Sequence, residues 1–206
     1  MSSTAVRMPP RAVLFDADGV VQMTPNPLKW LRKFDELGGP GFRKEVFAAE
    51  STTMTGADFR PLVEDLLARR HSKATFEDVI NLWFNTNPRP AVLAIVDRLR
   101  AAGVTCVLAT NQQSYRGGYM QRTFDYNERF NRTFYSFEMG VAKPDVAYYL
   151  TIADALELPP EQLLMVDDMG ANVDGARAAG LSAVHHRWGQ RPSRLASDLR
   201  RFGLPV

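Results

Sequence analysis

The sequence has almost no cysteine and no long run of apolar residues. Cys106 is the single cysteine among 206 residues, so no disulfide can form within the chain. Its apolar neighbours in the run 104–109 are typical of a buried structural thiol rather than a reactive one. No stretch approaches the roughly 18 consecutive apolar residues of a membrane-spanning helix, and the N-terminal segment lacks the apolar core of a signal peptide. We therefore expect a cytoplasmic protein.

The chain also lacks any marked excess of one charge. Its formal net charge is +2 and its basic residues do not gather in one cluster, so we expect neither a nucleic-acid nor a membrane partner. Hydrophobic residues make up 45% of the chain and charged residues 23%, which excludes a disordered or fibrous protein. A chain of this length can hold one ordinary α/β domain and a smaller insertion.

Short apolar runs that end in polar residues occur three times along the chain. They span residues 12–15, 104–109 and 163–166. Buried parallel strands have this form when their carboxyl ends carry function. Helical patterns over 91–102 and 145–158 precede the second and third runs. The alternation predicts the α/β class with a doubly wound parallel sheet, and further strands are expected at 133–137 and 182–185.

Residues 26–87 interrupt this alternation. They contain no convincing buried strand but show amphipathic helical patterns, clearest at 59–70 and 76–84. We therefore predict a core domain formed by residues 1–25 and 88–206, with a small all-helical cap domain at 26–87.

Two carboxylates stand where the chain leaves the first predicted strand. Asp16 and Asp18 are two residues apart, and Gly19 permits a tight turn after them. In an open parallel sheet the polar ends of the strands converge on one site. Such a pair suits covalent catalysis, in which one carboxylate attacks while the other protonates the leaving group and later activates water.

The later strand ends add a cation site and donors for an anion. Asp167 and Asp168 supply further anionic oxygens, and a cluster of carboxylates favours Mg2+. Lys143 offers an ammonium group that can neutralise a phosphate and keep an attacking carboxylate ionised. Thr110 and Asn111 can donate hydroxyl and amide hydrogens to phosphate oxygens.

Taken in order, these segments resemble the four sequence motifs of the haloacid dehalogenase-like hydrolases. They are DADGV at 16–20, the strand that ends in Thr110-Asn111, the lysine of VAKPD at 141–145, and VDDMGANVDGA at 166–176. One short motif arises easily by chance, whereas the ordered set at strand ends is specific. The resemblance implies a Rossmann-like core with a helical cap between the first two motifs, as in the phosphatase branch of the superfamily.

The resemblance also implies a role for each residue of the first motif. Asp16 would be the nucleophile that becomes an aspartyl phosphate, and Asp18 the general acid and base. Dehalogenases of the family lack an aspartate at the second position, because a halide leaves without being protonated. An alkoxide leaving group, in contrast, needs a proton. Mg2+ would be held by a carboxylate oxygen of Asp16, the backbone carbonyl of Asp18 and the carboxylate of Asp167.

The remaining motif residues would support this centre. The resemblance places Asp168 as a further carboxylate near the metal or Lys143, and gives Asn172 a supporting role around the metal. Thr110, Asn111 and Lys143 would hold the phosphoryl oxygens.

Other polar residues are interpreted as structural. His185 and His186 belong to none of the motifs, and the basic residues of 26–87 are expected to form a solvated face. Gln22 and Met23 depart from the family pattern, since many relatives carry Asp or Thr after the two apolar residues that follow Asp18.

The sequence thus predicts a Mg2+-dependent phosphatase that acts on a small phosphorylated metabolite, such as a sugar phosphate or a nucleotide monophosphate. Two alternatives remain open at this point, a phosphomutase of the same superfamily and a non-catalytic phosphate-binding protein. A phosphomutase would need a cap that excludes water, and nothing in residues 26–87 certifies one. A binding protein would be marked by the loss of Asp16, Asp18 or Lys143, and all three are present. We expect a monomer or a homodimer.

Overall fold

The protein is an α/β structure, as predicted, in which one parallel sheet lies between two layers of helices. A computed structural model describes residues 8–206; the first seven residues of the predicted core domain lie outside the described residues. The strands are β1 (Ala12–Phe15), β2 (Gln22–Met23), β3 (Asn87–Pro88), β4 (Thr105–Thr110), β5 (Arg132–Tyr135), β6 (Leu163–Asp167) and β7 (Ser182–His185). The helices are α1 (Pro27–Gly38), α2 (Phe42–Ser51), α3 (Arg60–Arg69), α4 (Phe76–Trp83), α5 (Pro90–Ala101), α6 (Ser114–Thr123), α7 (Tyr126–Arg129), α8 (Ser136–Met139), α9 (Val146–Leu156), α10 (Gly170–Ala178) and α11 (Pro192–Arg200).

The main sheet has the strand order β5-β4-β1-β6-β7. Every pairing in it is parallel, and β1 lies in the middle between β4 and β6. Alternate residues of β1 face opposite sides: Val13 and Phe15 pack in one hydrophobic cluster, Ala12 and Leu14 in the other. Both faces are therefore dry, which explains why the strands read as continuous apolar runs.

The last predicted strand before the lysine motif is shorter than expected. The strand was predicted over 133–137, but β5 ends at Tyr135 and the chain turns directly into α8. This short helix ends at Gly140, whose left-handed φ of 71° reverses the chain. The turn brings the segment with Lys143 back over the end of the sheet.

Helices α1 to α4 build a hydrophobic cluster of their own. Phe34, Phe59 and Trp83 belong to its buried aromatic centre, and Trp30 and Phe84 pack against it. The short antiparallel pair β2–β3 joins the two chain segments that enter and leave this helical insertion. The limits of a separate cap domain remain a prediction. Among the described residues, no helix has both the length and the apolarity needed to cross a membrane.

One close approach between backbones fixes the lysine segment to the sheet. Gly175, in α10, lies so near the carbonyl oxygen of Pro144 that a Cβ atom at this position would overlap it. Because the obstacle is backbone rather than a flexible side chain, the contact admits only glycine without movement of the Lys143-Pro144 segment.

We expect Gly175→Ala to destabilise the protein by about 1–3 kcal/mol, the usual cost of overpacking. Gly118→Ala is the matched control, because it also lies in a helix but a Cβ there would meet only the mobile end of Arg122. In that helix the change should stabilise by about 0.5–1 kcal/mol. Urea unfolding of both variants measures the two effects, and equal stabilities would contradict the proposed close contact.

Candidate active site

Carboxylates from two neighbouring strands meet at the carboxyl edge of the sheet. Asp16 follows β1, Asp167 is the last residue of β6, and Asp168 comes next. One carboxylate oxygen from each lies within 4.8 Å of the others. Asp16 and Asp167 are buried, whereas Asp168 is half-buried. Like charges this close in a poorly hydrated place repel strongly, so the cluster needs cations.

Lys143 supplies one positive charge in the centre of this cluster. Its side chain is fully buried, and Nζ lies 2.8 Å from Asp16 Oδ1 and 2.7 Å from Asp167 Oδ2. A third bond of 2.9 Å goes to the carbonyl oxygen of Ala109. Burial lowers the pKa of Lys143, but the charges of Asp16 and Asp167 outweigh burial and raise it. The lysine is therefore protonated and ties β1, β4 and β6 together.

Asn111 holds the Lys143 segment through its side chain. Its Nδ2 donates to the Lys143 carbonyl oxygen over 2.8 Å, and its Oδ1 accepts from the Lys143 amide over 2.9 Å. The Thr110 hydroxyl oxygen, at the end of β4, accepts from Gln112 Nε2 over 3.0 Å. Both residues thus lie at the carboxyl end of β4, and the Asn111 side chain fixes the backbone of Lys143.

Asp167 is fixed by donors on its other oxygen. Oδ1 accepts from the Met169 amide over 2.9 Å and from Asn172 Nδ2 over 3.0 Å. Asn172 is in turn held by the Tyr149 hydroxyl, which donates to its carbonyl oxygen over 2.6 Å. Asn172 therefore orients Asp167 from the first turn of α10.

Asp168 packs against the turn that follows β1. A Cβ atom on Gly19, which has a φ of 76°, would overlap the Asp168 carboxylate, so a glycine is needed at this turn. Burial and the neighbouring Asp167 charge raise the pKa of Asp168 to about 6. The ring of His185 is near as well, with Nε2 2.9 Å from the Asp168 carbonyl oxygen. His186 is buried, and burial together with the positive charge of Arg89 lowers the pKa of its ring to about 4.

The carboxylate cluster fits a small hard cation. Burial raises the pKa of Asp16, with smaller contributions from Asp167 and Asp18, and Lys143 acts in the opposite sense. One lysine against three clustered carboxylates leaves an excess of negative charge, and an all-oxygen donor set is the one that Mg2+ prefers. The side chains grouped here are those of Asp16, Asp167 and Asp168; the predicted contribution of Asp18 is its backbone carbonyl.

The Asp18 carboxylate lies apart from this cluster, in a ring of donors. Arg116 makes a bidentate ion pair with it, in which Nη2 donates to Oδ1 over 2.7 Å and Nη1 donates to Oδ2 over 2.8 Å. Gln22 Nε2 donates to Oδ1 over 3.0 Å and Gln112 Nε2 to Oδ2 over 2.9 Å. Burial raises the pKa of Asp18, but the Arg116 charge and these bonds lower it below its usual value.

Sequence reasoning missed Arg116, Gln112 and Glu50. Arg116 and Gln112 follow the second motif but carry no signal in the sequence, because an arginine in the first turn of a helix is ordinary. Glu50 belongs to α2 of the insertion and is only 6% exposed; burial raises its pKa to about 7, against the opposing charge of Arg116. The only sequence signal here was Gln22, which stood out as a departure from the family pattern.

Comparison with known proteins identifies the family of this chain. The family model for haloacid dehalogenase-like hydrolases matches residues 10–180, and the chain belongs to that family. The predicted resemblance is therefore confirmed. Among curated proteins, the chain is 26% identical over 205 residues to pig (Sus scrofa) bifunctional epoxide hydrolase 2, with 84% of this chain and 36% of the relative covered. The chain thus spans about a third of that relative's length.

A second relative is similar over most of both chains. It is a phosphorylated carbohydrates phosphatase from Thermotoga maritima, 21% identical over 186 residues, with 84% of this chain and 83% of the relative covered. Among solved structures, an HAD family enzyme from Bacteroides thetaiotaomicron, in complex with magnesium and inorganic phosphate, superposes with a TM-score of 0.75. Its identity is 18%, over 90% of this chain and 98% of that one, so the likeness shows the shared fold.

We expect Asp167→Asn to weaken Mg2+ binding by at least about tenfold, because it removes a charge from the carboxylate cluster. Asp174→Asn is the control: Asp174 lies in α10 nearby, but its side chain is 78% exposed and paired with Arg177. Calorimetric titration with MgCl2 gives both affinities, and thermal unfolding verifies that each variant is folded. Equal Mg2+ affinities in the two variants would show that Asp167 is not a ligand.

Proposed function

We propose that this chain is a Mg2+-dependent phosphatase that hydrolyses a small phosphomonoester through an aspartyl phosphate on Asp16. The observation that carries the proposal is the Lys143 ammonium held between Asp16 and Asp167, with a second aspartate, Asp18, at the end of the same strand. This arrangement suits the transfer of a highly anionic group to a carboxylate.

Asp16 has one oxygen available for attack. The Ala17 amide donates to its Oδ1 over 2.8 Å, and Lys143 pairs with the same oxygen. No hydrogen bond from a described residue reaches Oδ2, so this atom can approach phosphorus. The buried ammonium of Lys143 favours the ionised form of this carboxylate, against the effect of burial, and would neutralise charge beside the phosphoryl group. We propose that Thr110 and Asn111 help to hold that group.

The acidic cluster would hold the metal. Asp16, Asp167 and Asp168 would provide carboxylate oxygens and Asp18 its backbone carbonyl, with Asn172 orienting Asp167. A bound Mg2+ would neutralise charge on the phosphoryl oxygens and on the carboxylates themselves.

Asp18 is the group that favours a phosphatase over a dehalogenase. An alkoxide leaving group needs a proton in the transition state, and the later hydrolysis of the aspartyl phosphate needs a base for water. Asp18, two residues from the nucleophile, can serve both steps. The similarity to a phosphatase of phosphorylated carbohydrates supports a sugar phosphate or a similar small ester as substrate.

We expect turnover of an aryl phosphate to require Mg2+ and to vanish in excess EDTA, because the negative cluster would otherwise repel the substrate. Release of phenolate is followed by absorbance, and addition of MgCl2 should restore the rate. Mn2+ or Co2+ should substitute in part, since both accept oxygen ligands. Undiminished turnover in chelator would overturn the metal assignment.

Substitution of the two aspartates of the first motif should impair catalysis in different ways. Asp16→Asn removes the anionic nucleophile while nearly keeping its shape, so turnover should fall to background. Asp18→Asn removes proton transfer, an effect worth about 100- to 10,000-fold, and the loss should be smaller for an aryl phosphate than for a sugar phosphate. The values of kcat/KM with both substrates, which report on the first phosphoryl transfer, measure the difference.

The Asp18→Asn variant should also accumulate phosphorylated enzyme, because the base that activates water is gone. Mass spectrometry should find the added phosphate on the peptide that contains Asp16. A phosphomutase would instead return the group to the substrate, and a binding protein would form no covalent species. Phosphate trapped on His185 or Ser114 would contradict the mechanism.

A further inference from the structure

The Asp18 carboxylate has no free position for a substrate. A carboxylate offers about four acceptor positions on its two oxygens. Four donor atoms already occupy Asp18: two from Arg116, one from Gln22 and one from Gln112. If Asp18 is to exchange a proton with the leaving group, as the proposed function requires, at least one of these donors must move away.

The two glutamines are held in place by other contacts. Gln22 is fully buried, accepts from the Tyr126 hydroxyl over 3.1 Å and reaches the sulfur of Met120 at 3.6 Å. Gln112 is 1% exposed and bonds the Thr110 hydroxyl oxygen as well as Asp18. Moving either side chain would leave a buried polar partner unsatisfied, at a cost of about 1–3 kcal/mol for each group.

Arg116 is the donor that can leave. Its two terminal guanidinium nitrogens both donate hydrogen bonds to the Asp18 carboxylate. Its third nitrogen, Nε, is buried and has no hydrogen-bond partner among the described residues. A second buried donor without a described partner, Gln113 Nε2, lies three residues before it. Buried donors that lack acceptors call for an explanation, and an anionic ligand would provide one.

A guanidinium group that leaves Asp18 needs another anion. Arg116 is only 9% exposed, so water solvates its charge poorly. Separating a buried ion pair without a new partner for the charge is strongly unfavourable. One alternative partner among the described residues is the buried carboxyl group of Glu50, which interacts electrostatically with Arg116. Because burial favours the neutral form of Glu50, this group offers a weak substitute for the lost charge.

We propose that Arg116 is a specificity-determining residue that leaves Asp18 to bind a second anionic group, a carboxylate or a phosphate, on the leaving group of the substrate. This rests on the proposed function. The planar fork that grips the Asp18 carboxylate matches either group in the same bidentate geometry. The substrate's own charge thereby frees Asp18 to protonate the leaving oxygen, and an ester without a second anion leaves Asp18 occupied.

Three esters whose leaving groups share a two-carbon skeleton test the proposal: 2-phosphoglycolate, ethane-1,2-diol bisphosphate and 2-hydroxyethyl phosphate. Wild-type enzyme should prefer one or both of the first two, and this identifies whether the second anion is a carboxylate or a phosphate. Arg116→Met should lower kcat/KM for the preferred anionic ester by about 10- to 100-fold, as expected for a charge-assisted contact. For 2-hydroxyethyl phosphate, kcat/KM should not fall, because Asp18 is then unoccupied.

The loss should appear mainly in KM, as for a contact made in both the bound and the transition state. Arg116→Lys should retain part of the preference, since it keeps the charge without the fork. Arg122→Met, an exposed arginine on the same helix, is the control and should leave all rates unchanged. A purely structural role for Arg116 would lower all three rates alike and would overturn the proposal.

The Glu50→Gln variant tests the remaining alternative, in which Arg116 moves from Asp18 to Glu50 rather than to the substrate. If Glu50 receives Arg116, this variant should slow 2-hydroxyethyl phosphate, which has no second anion, as much as the two esters that carry one, and this would contradict a substrate-borne anion. A measurement on wild-type enzyme covers the case in which Arg116→Met does not fold: 2-phosphoglycolate or the bisphosphate, whichever ester is preferred, should inhibit aryl phosphate hydrolysis at least about tenfold more strongly than 2-hydroxyethyl phosphate. Equal inhibition by esters with and without a second anion would refute the proposal, whereas absence of any aryl phosphate turnover would refute the phosphatase itself.

Discussion

The contact on which the rest of the structure depends is the ion pair of buried Lys143 with Asp16 and Asp167. These three side chains come from the ends of β1 and β6 and from the segment after α8, and none of them is more than 5% exposed. Breaking such a buried pair by removing one partner typically costs about 3–5 kcal/mol, because the remaining charge is uncompensated. Asn111 on the lysine backbone and Asn172 on Asp167 orient the partners.

The charges of this centre also explain how the proposed chemistry is divided between the two aspartates. Asp16 lies beside a cation and within a carboxylate cluster that suits a metal, so it is placed to receive a phosphoryl group. The Asp18 carboxylate is not part of that cluster and is held by Arg116 of α6. The same short motif thus supplies two carboxylates with different partners, and different partners permit different roles.

Much of the site could be predicted because short stretches of sequence show where each strand of a parallel sheet ends. An apolar run marks a strand, its polar end marks the edge, and parallel strands bring their carboxyl ends to one edge. Asp16, Thr110 and Asp167 follow from this rule alone. Lys143 does not end a strand; its place depends on the turn at Gly140 and on the close approach of Gly175 to Pro144.

The sequence by itself determined the α/β class, the helical insertion and the aspartates at the strand ends, since each depends on periodicity or on short-range order. The tertiary structure alone decided the surroundings of Asp18. Arg116 is 98 residues from Asp18 along the chain, and Gln112 is 94 residues away. Such contacts depend on how α6 and the insertion pack over the sheet edge, and no local pattern of residues encodes the distance between side chains so far apart.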